Sequence, residues 1–376
     1  MRVALDYTAA LTQQAGIGRY VRELAQALVS LFGDHGELIL WYGRLTRTCR
    51  SQWPEDAPVR EVELPVPPVW VTRLWQRLRL PLPLEHFTGQ LSVSHGSDFV
   101  IPPSRAPSVV TIHDLSFLLA PQHAHPRLRA YLTAAVPRSL QRASAVIAVS
   151  EQVRCEVIEY YNLPPEQVVT IPHGVTSGLT APADDQAQRT LARLGVREPY
   201  FLMVGTIEPR KNHLATLDAF ALLASRYPDL SLLIAGRPGW LADPIMRAIR
   251  EASARLPVRY LGPVADADLP ALYARSLALV YPSWYEGFGL PVLEAMACGT
   301  AVITSEGGAP AEVAGDAALA VPPDRPEALA EAMERIVNDS ALRGWLAKEG
   351  RRRAASFSWE HAARQHLELY RRLAGE

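Results

Sequence analysis

Residues 283–304 read SWYEGFGLPVLEAMACGTAVIT, and they predict a loop that leaves a buried strand, enters a helix and leads to the next strand. Gly287 and Gly289 allow close approach to the backbone, and the N–H groups of a helix N-terminus bind anions. Glu286 would lie at the carboxyl edge of the sheet, where open α/β folds bind ligands. Glu294 would lie about one turn into the helix. On the residues alone, a glycine-rich surface loop explains the pattern equally well.

The same alternation of short apolar runs and longer helical patterns extends over most of the 376 residues. It is typical of parallel sheets with crossover helices, and the length exceeds what one hydrophobic core usually supports. Strands are predicted at 2–5, 38–42, 109–112, 145–149 and 168–172 in the first half, and at 200–205, 230–235, 258–261, 277–281 and 301–304 in the second. The sequence therefore predicts two α/β domains.

A polar stretch broken by proline and glycine separates the two halves and predicts an interdomain linker at 176–198. The domains would then comprise residues 1–175 and 199–356, followed by a closing helical segment at 357–376.

The composition excludes several classes of protein. With 38 basic and 39 acidic residues, the net charge of -1 gives no global field for nucleic acid. No signal peptide and no apolar run of transmembrane length is evident. Cys49, Cys155 and Cys298 are isolated, which favours a reducing compartment over a disulfide framework. A cytoplasmic protein is expected.

A second motif, VGTIEPRKNHLATLDAF at residues 204–220, places two cations between a strand and a helix. Arg210 and Lys211 precede Asn212, a predicted helix N-cap. Cations beside a helix N-terminus favour a diphosphate site, although a solvated basic turn is the alternative.

The segment EGFGLPVLEAMACGTAVI resembles the signature of family 4 glycosyltransferases, which are retaining enzymes with two Rossmann-like domains facing each other across a cleft (the GT-B fold). The resemblance implies that Glu286 contacts hydroxyls of the donor hexose and that Glu294 binds the nucleotide ribose. It also implies that Arg210 and Lys211 bind the leaving diphosphate. The backbone that would help to hold the diphosphate is that of Gly287, Phe288, Gly289 and Leu290.

The resemblance continues in the first half of the chain. TIHDLSFLLAP resembles the family's loop near the reacting sugar, which assigns His113 to that place. Gly16 and Gly18 in GIGRY are a weak motif alone, but they resemble the family's glycine loop at the donor phosphate and acceptor. In the second half, the nucleotide base would be read mostly by backbone and shape around residues such as Arg237 and Val264. The ending, FSWEHAARQHLELY, resembles the family's last helix, which returns to the N-terminal domain.

Asp266 and Asp268 spell the DxD of metal-dependent glycosyltransferases. They directly precede a predicted helix, so the N-cap and first-turn interpretation is preferred. No metal or other cofactor is expected.

These features predict a hexosyltransferase that uses a nucleotide-diphosphate sugar. The wider resemblance to bacterial mannosyltransferases of polysaccharide assembly favours GDP-mannose as donor and a glycan or lipid-linked acceptor. A UDP-sugar donor and a nucleotide-sugar epimerase of the same fold are the alternatives. A non-catalytic sugar-binding protein would be expected to carry a secretion signal.

Residues 69–84, VWVTRLWQRLRLPLPL, have two interpretations. Their apolar residues recur at near-helical spacing, which predicts an ordinary packed helix. The alternative is a basic, aromatic surface that docks on anionic lipid or a lipid-linked acceptor, giving peripheral contact with the inner membrane.

Overall fold

The computed structural model describes residues 1–13, 16–33, 36–45, 53–54, 56–176 and 178–376. Cys49 and position 177 of the predicted linker lie outside the described residues. Cys155 is an exposed free thiol and Cys298 a buried one. The chain divides into two compact units. The first comprises Met1–Leu118, Pro126–Gly174 and Ser358–Glu376, and the second Leu119–His125 and Val175–Phe357.

The strands are β1 (Arg2–Asp6), β2 (Glu37–Gly43), β3 (Val59–Leu64), β4 (Val93–Gly96), β5 (Ser108–Ile112), β6 (Ala145–Ala148), β7 (Val168–Thr170), β8 (Tyr200–Val204), β9 (Ser231–Ala235), β10 (Val258–Gly262), β11 (Ala278–Tyr281), β12 (Ala301–Ser305) and β13 (Leu319–Val321). The helices are α1 (Thr8–Thr12), α2 (Ile17–Phe32), α3 (Pro68–Thr72), α4 (Glu85–Thr88), α5 (Ser116–Leu119), α6 (Pro126–Arg142), α7 (Glu151–Tyr161), α8 (Asp184–Leu194), α9 (His213–Ala224), α10 (Asp243–Ser253), α11 (Leu269–Arg275), α12 (Leu290–Ala297), α13 (Gly308–Ala314), α14 (Pro326–Asn338), α15 (Ser340–Ala354) and α16 (Trp359–Ala374).

Each unit is built on one parallel sheet. The first sheet has the order β3-β2-β1-β4-β5-β6-β7, and the second has the order β10-β9-β8-β11-β12-β13. Strands such as β5 and β12 are buried at every residue, because helices cover both faces of a parallel sheet. The prediction of two Rossmann-like domains is confirmed.

The strand order reverses once in each sheet, and ligands bind at such switch points. In the first sheet the reversal lies between β1 and β4, and in the second between β8 and β11. The carboxyl ends of these strand pairs are therefore where ligand-binding side chains are expected.

The last helix, α16, packs against α2 in the first unit, as the resemblance implied. A chain of hydrogen bonds fastens it to the sheet: Tyr370 Oη–His95 Nδ1 (2.6 Å), His95 Nε2–Thr111 Oγ1 (2.8 Å), Thr111 Oγ1–Tyr20 Oη (3.0 Å), Tyr20 Oη–His366 Nε2 (3.2 Å) and His366 Nδ1–Ala362 O (2.7 Å). The Ala362 carbonyl can only accept, so His366 donates from Nδ1 and accepts from Tyr20 at Nε2. It follows that Thr111 donates to Tyr20, His95 Nε2 to Thr111, and Tyr370 to His95 Nδ1. Both imidazoles are neutral in this arrangement.

Three strands escaped prediction: β3, β4 and β13. They are short or polar, and β4 carries Ser94 and His95, which are fully buried. The sequence VSHG lacks the apolar run of a core strand, and the hydrogen bonds that allow His95 to be buried come from residues distant in the chain.

The predicted helix at 69–84 is found only in its first part, because helical turns cover 68–77 and residues 78–84 are not helical. Helix α3 ends at Thr72, a π-helical turn covers Arg73–Arg77, and an irregular segment follows. Arg79 has a φ of 53°, and Pro81 and Pro83 lack the N–H that a helix interior needs. Among the described residues, no helix combines the length and the apolar character that crossing a membrane requires.

Candidate functional site

The switch point of the second sheet carries the predicted diphosphate residues. Arg210 and Lys211 lie in a short 3-10 turn, Pro209–Lys211, in the loop after β8. Glu286 lies in the loop after β11, the neighbouring strand. Because both strands end at the same edge of a parallel sheet, side chains separated by about 75 positions in the chain meet there.

The structure brings these three residues into one cluster of ion pairs. Arg210 Nη1 donates to Glu286 Oε2 at 2.8 Å, and Lys211 Nζ donates to Glu286 Oε1 at 2.5 Å. Arg210 Nη2 also pairs with Glu208 at 2.9 Å. We call Glu208, Arg210, Lys211 and Glu286 the ion-pair cluster. Two cations and two carboxylates give it a formal charge of zero, and all four side chains are largely buried.

Burial and charge act in opposite directions on the two carboxylates. Burial favours the neutral form of Glu286, but Arg210 and Lys211 outweigh it and hold the pKa of Glu286 below its ordinary value. For Glu208, burial is the larger effect and the pKa is raised despite the same two cations. Glu286 is therefore the more acidic of the two carboxyls and is ionised beside the cations.

The sequence did not reveal two members of this environment. Glu208 is 1% exposed, and Tyr281, the last residue of β11, accepts a hydrogen bond from Lys211 Nζ at 2.7 Å. Burial raises the pKa of Tyr281, which keeps the phenol neutral beside the lysine. The position of Tyr281 at the end of a predicted strand was the one signal that could have identified it, because that strand borders the switch point.

Asn212 is not the side-chain N-cap that the sequence predicted. It occupies the N-cap position of α9, but it adopts a left-handed backbone conformation and makes no capping hydrogen bond. Its amide nitrogen instead donates to Pro282 O at 3.0 Å and Pro323 O at 2.6 Å. Asn212 thus ties the loop of Arg210 and Lys211 to the end of β11.

The glycine loop leads into α12 as predicted. Gly289 stands at the N-cap position with a φ of 109°, which favours glycine, and a Cβ there would touch Pro310 at 3.4 Å. Gly287 and Phe288 are buried, and Leu290 is half-buried. These four backbones therefore border the N-terminus of an eight-residue helix.

Glu294 has a partner outside the ion-pair cluster. Its side chain is buried within α12, and Oε2 accepts the hydroxyl of Tyr273 at 2.9 Å. Tyr273 belongs to α11 and was not identified from the sequence. A carboxylate with one oxygen fixed by a tyrosine has a defined orientation toward further hydroxyl donors.

The DxD pair and Val264 lie elsewhere in the second unit. Asp268 occupies the N-cap position of α11, but its carboxylate pairs with Arg193 instead of capping, so that expectation is wrong. Val264 is half-buried in the loop after β10. Across the described part of the chain, no group of three or more His, Cys, Asp or Glu side chains is arranged to hold a metal ion. Metal independence remains a prediction.

His113, Gly16 and Gly18 belong to the first unit. His113 follows β5, is buried, and its Nε2 is 2.8 Å from Ser97 O, so Nε2 carries the proton and Nδ1 is an acceptor. Burial lowers the pKa of His113 to about 4. Gly16 precedes α2 with a φ of 57°, and a Cβ on Gly18 would lie 2.0 Å from Gln13 O. Gly18 is thus required for packing α2 against the end of α1.

Comparisons with known proteins agree with this arrangement. A family model described as "Glycosyl transferases group 1" matches residues 185–353, and "Glycosyltransferase Family 4" matches residues 15–178. O-antigen chain mannosyltransferase B of Escherichia coli is 34% identical over 287 residues, 75% of this chain and 74% of that protein.

Two further comparisons differ in what they cover. The serotype-specific mannosyltransferase WbdA of Escherichia coli is 31% identical over 284 residues, and the match covers 73% of this chain but only 34% of that longer protein. Sucrose-phosphate synthase from Thermosynechococcus elongatus has a similar fold, with a TM-score of 0.77, 24% identity and 99% of both chains covered.

Proposed function

This chain belongs to the family 4 glycosyltransferases, and we propose that it transfers mannose from GDP-mannose to a glycan or lipid-linked acceptor, with retention of anomeric configuration. The observation that carries the proposal is the ion-pair cluster at the switch point of the second sheet. It joins two cations suited to a diphosphate with an ionised carboxylate suited to sugar hydroxyls. We place the reaction in the cytoplasm.

The proposed mechanism assigns the departing charge to protein cations. As the bond from the sugar C1 to the diphosphate oxygen breaks, the electron pair goes to that oxygen and positive charge develops on the sugar. Arg210, Lys211 and the backbone N–H groups at the start of α12 would stabilise the phosphate charge without a metal. The acceptor oxygen attacks C1 from the face that the diphosphate leaves, and its proton passes to the departing phosphate.

The two glutamates have separate roles in this mechanism. Glu286, beside the cations, would accept hydrogen bonds from the hexose hydroxyls, and Glu294, oriented by Tyr273, would accept them from the ribose. His113 is assigned near the reacting sugar by the resemblance, and its Nδ1 would accept a hexose hydroxyl.

The choice of mannose rests on the names of the two relatives, both of which are mannosyltransferases. A UDP-sugar is the alternative donor.

A donor panel tests the proposal. Purified protein is incubated with GDP-mannose, UDP-glucose or UDP-N-acetylglucosamine, with and without candidate mannose-containing acceptors, and the Arg210→Ala protein serves as the background control. Release of GDP that depends on the acceptor, with a retained linkage, is expected. Acceptor-dependent turnover of a UDP-sugar alone would contradict the donor assignment. Conversion of the sugar without any acceptor would indicate the epimerase.

A further inference from the structure

Residues 69–82, which we call the arginine–leucine segment, expose an unusual concentration of large apolar side chains. Val69, Trp70, Leu78, Leu80 and Leu82 are all exposed, Leu78 by 65%. Soluble domains scatter such residues singly, and a local concentration marks an interaction surface. The segment belongs to the first unit, whose core does not account for these side chains.

The exposed residues are held in place by buried neighbours. Trp75 packs edge-on against Trp41, with ring centroids 5.8 Å apart, and its Nε1 donates to Leu82 O at 3.0 Å. Gln76 is buried and donates to Ile101 O at 3.0 Å. The backbone N–H of Leu80 donates to Leu74 O at 3.0 Å. These hydrogen bonds and the packing of Trp75 therefore hold the backbone that carries the exposed leucines.

The charge of the segment has one sign. Arg73, Arg77 and Arg79 are exposed, and no acidic residue occurs between Glu63 and Glu85, although the whole chain carries a net charge of -1. The Arg73 guanidinium lies 5.0 Å from the centroid of the Trp70 ring. Arginine and tryptophan side by side suit the interface between lipid headgroups and acyl chains.

The start of helix α6 extends the same surface. The side chains of Tyr131 and Thr72 are hydrogen-bonded, which joins α6 to α3. Arg127 and Leu128 are exposed, four and three residues before Tyr131 and therefore on its side of α6. A second element thus adds one arginine and one leucine to the surface.

We propose that this face, the arginine–leucine segment together with Arg127 and Leu128, docks the protein on the surface of an anionic lipid bilayer. Charge selects the partner, because the named residues of the face include arginines and large apolar side chains but no acidic residue, and an anionic headgroup layer complements both features. A docking face of this kind would bring the enzyme to a lipid-linked acceptor, but the inference does not depend on the identity of the donor.

Vesicle co-sedimentation tests the docking. The probes are vesicles of phosphatidylcholine alone and vesicles that contain about 30 mol% phosphatidylglycerol. We expect binding only to the anionic vesicles, weakening as salt is raised. Replacing Arg73, Arg77 and Arg79 together by alanine should weaken the binding about 100-fold, at about fivefold per arginine. The double change Leu78→Ser and Leu80→Ser should also weaken it, because it removes the apolar contact.

Matched controls separate docking from folding and from general charge. Arg364, Arg371 and Arg372 are exposed on α16 of the same unit, so their triple alanine variant loses the same charge elsewhere. Leu222→Ser with Leu241→Ser matches the leucine change on the second unit. Both controls should bind vesicles like wild type, and all variants should keep the wild-type circular dichroism and melting temperature.

Two results would overturn the proposal. One is equal binding of the segment variants and the controls to anionic vesicles. The other is absence of binding of the wild type to anionic vesicles. If the wild type is then a dimer that the leucine variant converts to a monomer, the face is a contact between two copies of the chain. Neither result bears on the donor panel, so failure here is distinguishable from failure of the proposed function.

Discussion

Replacing His366 by glutamine should destabilise the first unit at neutral pH and much less at pH 5. His366 lies in the hydrogen-bond chain that fastens α16, with Tyr20 and Ala362 as partners, and His95, also neutral, has its ring centroid 5.8 Å away. Burial lowers the pKa of His366 from its ordinary 6.5 to about 4. A second proton on His366 would go to Nε2, which accepts the hydrogen bond from Tyr20, so protonation would break that hydrogen bond.

The magnitude follows from proton linkage. Because the folded pKa lies below the unfolded one, the unfolded chain binds the proton first as pH falls, and the native protein loses stability between pH 6.5 and 4. From pH 7.5 to pH 5 this loss is about 2 kcal/mol for one histidine. The glutamine protein does not show this loss, because glutamine at position 366 does not titrate. The stability gap between the two proteins should therefore shrink by about 2 kcal/mol.

Comparing the two proteins cancels the contribution of the buried carboxyls, whereas the pKa values of His95 and His173, which His366 also lowers, rise slightly in the glutamine protein. Burial raises the pKa of Asp6 to about 6 and that of Asp98 to about 7, so these carboxyls stabilise the native protein on acidification and mask the histidines in wild type. His95, His113 and His173 act in the same direction as His366, because burial lowers the pKa of each. All five groups remain in both proteins.

Urea unfolding at pH 7.5 and pH 5, followed by tryptophan fluorescence, measures the gap. The relevant transition is the one that His366→Gln shifts, because two compact units need not unfold together. His361→Gln is the control, since His361 is exposed on the same helix, and it should change neither value. A gap that stays constant or widens at pH 5 would show that His366 is not held neutral by its surroundings.

Three further changes test the site. Arg210→Ala or Lys211→Ala should lower kcat/KM, with a loss of transition-state stabilisation of about 2–4 kcal/mol. Lys348→Ala, at the chain's other lysine, should leave kcat/KM unchanged. Equal activity of all three variants would show that this loop does not bind the diphosphate. Tyr273→Phe should weaken nucleotide binding about tenfold with little change in kcat, while Tyr227→Phe, which removes another tyrosine–glutamate hydrogen bond, should not. Activity should survive EDTA, and Asp266→Asn with Asp268→Asn should affect mainly stability; activity lost to EDTA and restored by magnesium or manganese would refute the metal-free assignment.

The sequence predicted the elements that have strong local signals. Apolar runs located the central strands within one or two residues, and the positions of Arg210, Lys211 and Glu286 after strands placed them at the edge of the sheet. Their mutual pairing is a contact across about 75 residues, and only the strand order brings it about. Nothing local distinguishes a glutamate that meets two cations from one on the surface.

The failures have particular causes. Asn212 has the residue type of an N-cap, but two backbone carbonyls from distant loops take its amide, so tertiary contacts override the local preference. Residues 69–84 have helical spacing, but Pro81, Pro83 and the left-handed Arg79 end the helix early. Strand β4 can be polar and still buried, because Tyr370, 275 residues away in the chain, hydrogen-bonds to His95.

The separate roles of Glu286 and Glu294 are the central claim about the site, and calorimetric titration of the two glutamine variants tests it most directly. The titrant is the nucleoside diphosphate of the donor that the panel identifies. Glu294→Gln should weaken its binding by about 1.5–3 kcal/mol, the worth of a charged hydrogen bond to a ribose hydroxyl. Glu286→Gln should leave the affinity equal or tighter, because Arg210 and Lys211 lose a competing carboxylate, while kcat/KM for the intact donor falls. A loss of nucleotide affinity in Glu286→Gln, with none in Glu294→Gln, would contradict the assignment.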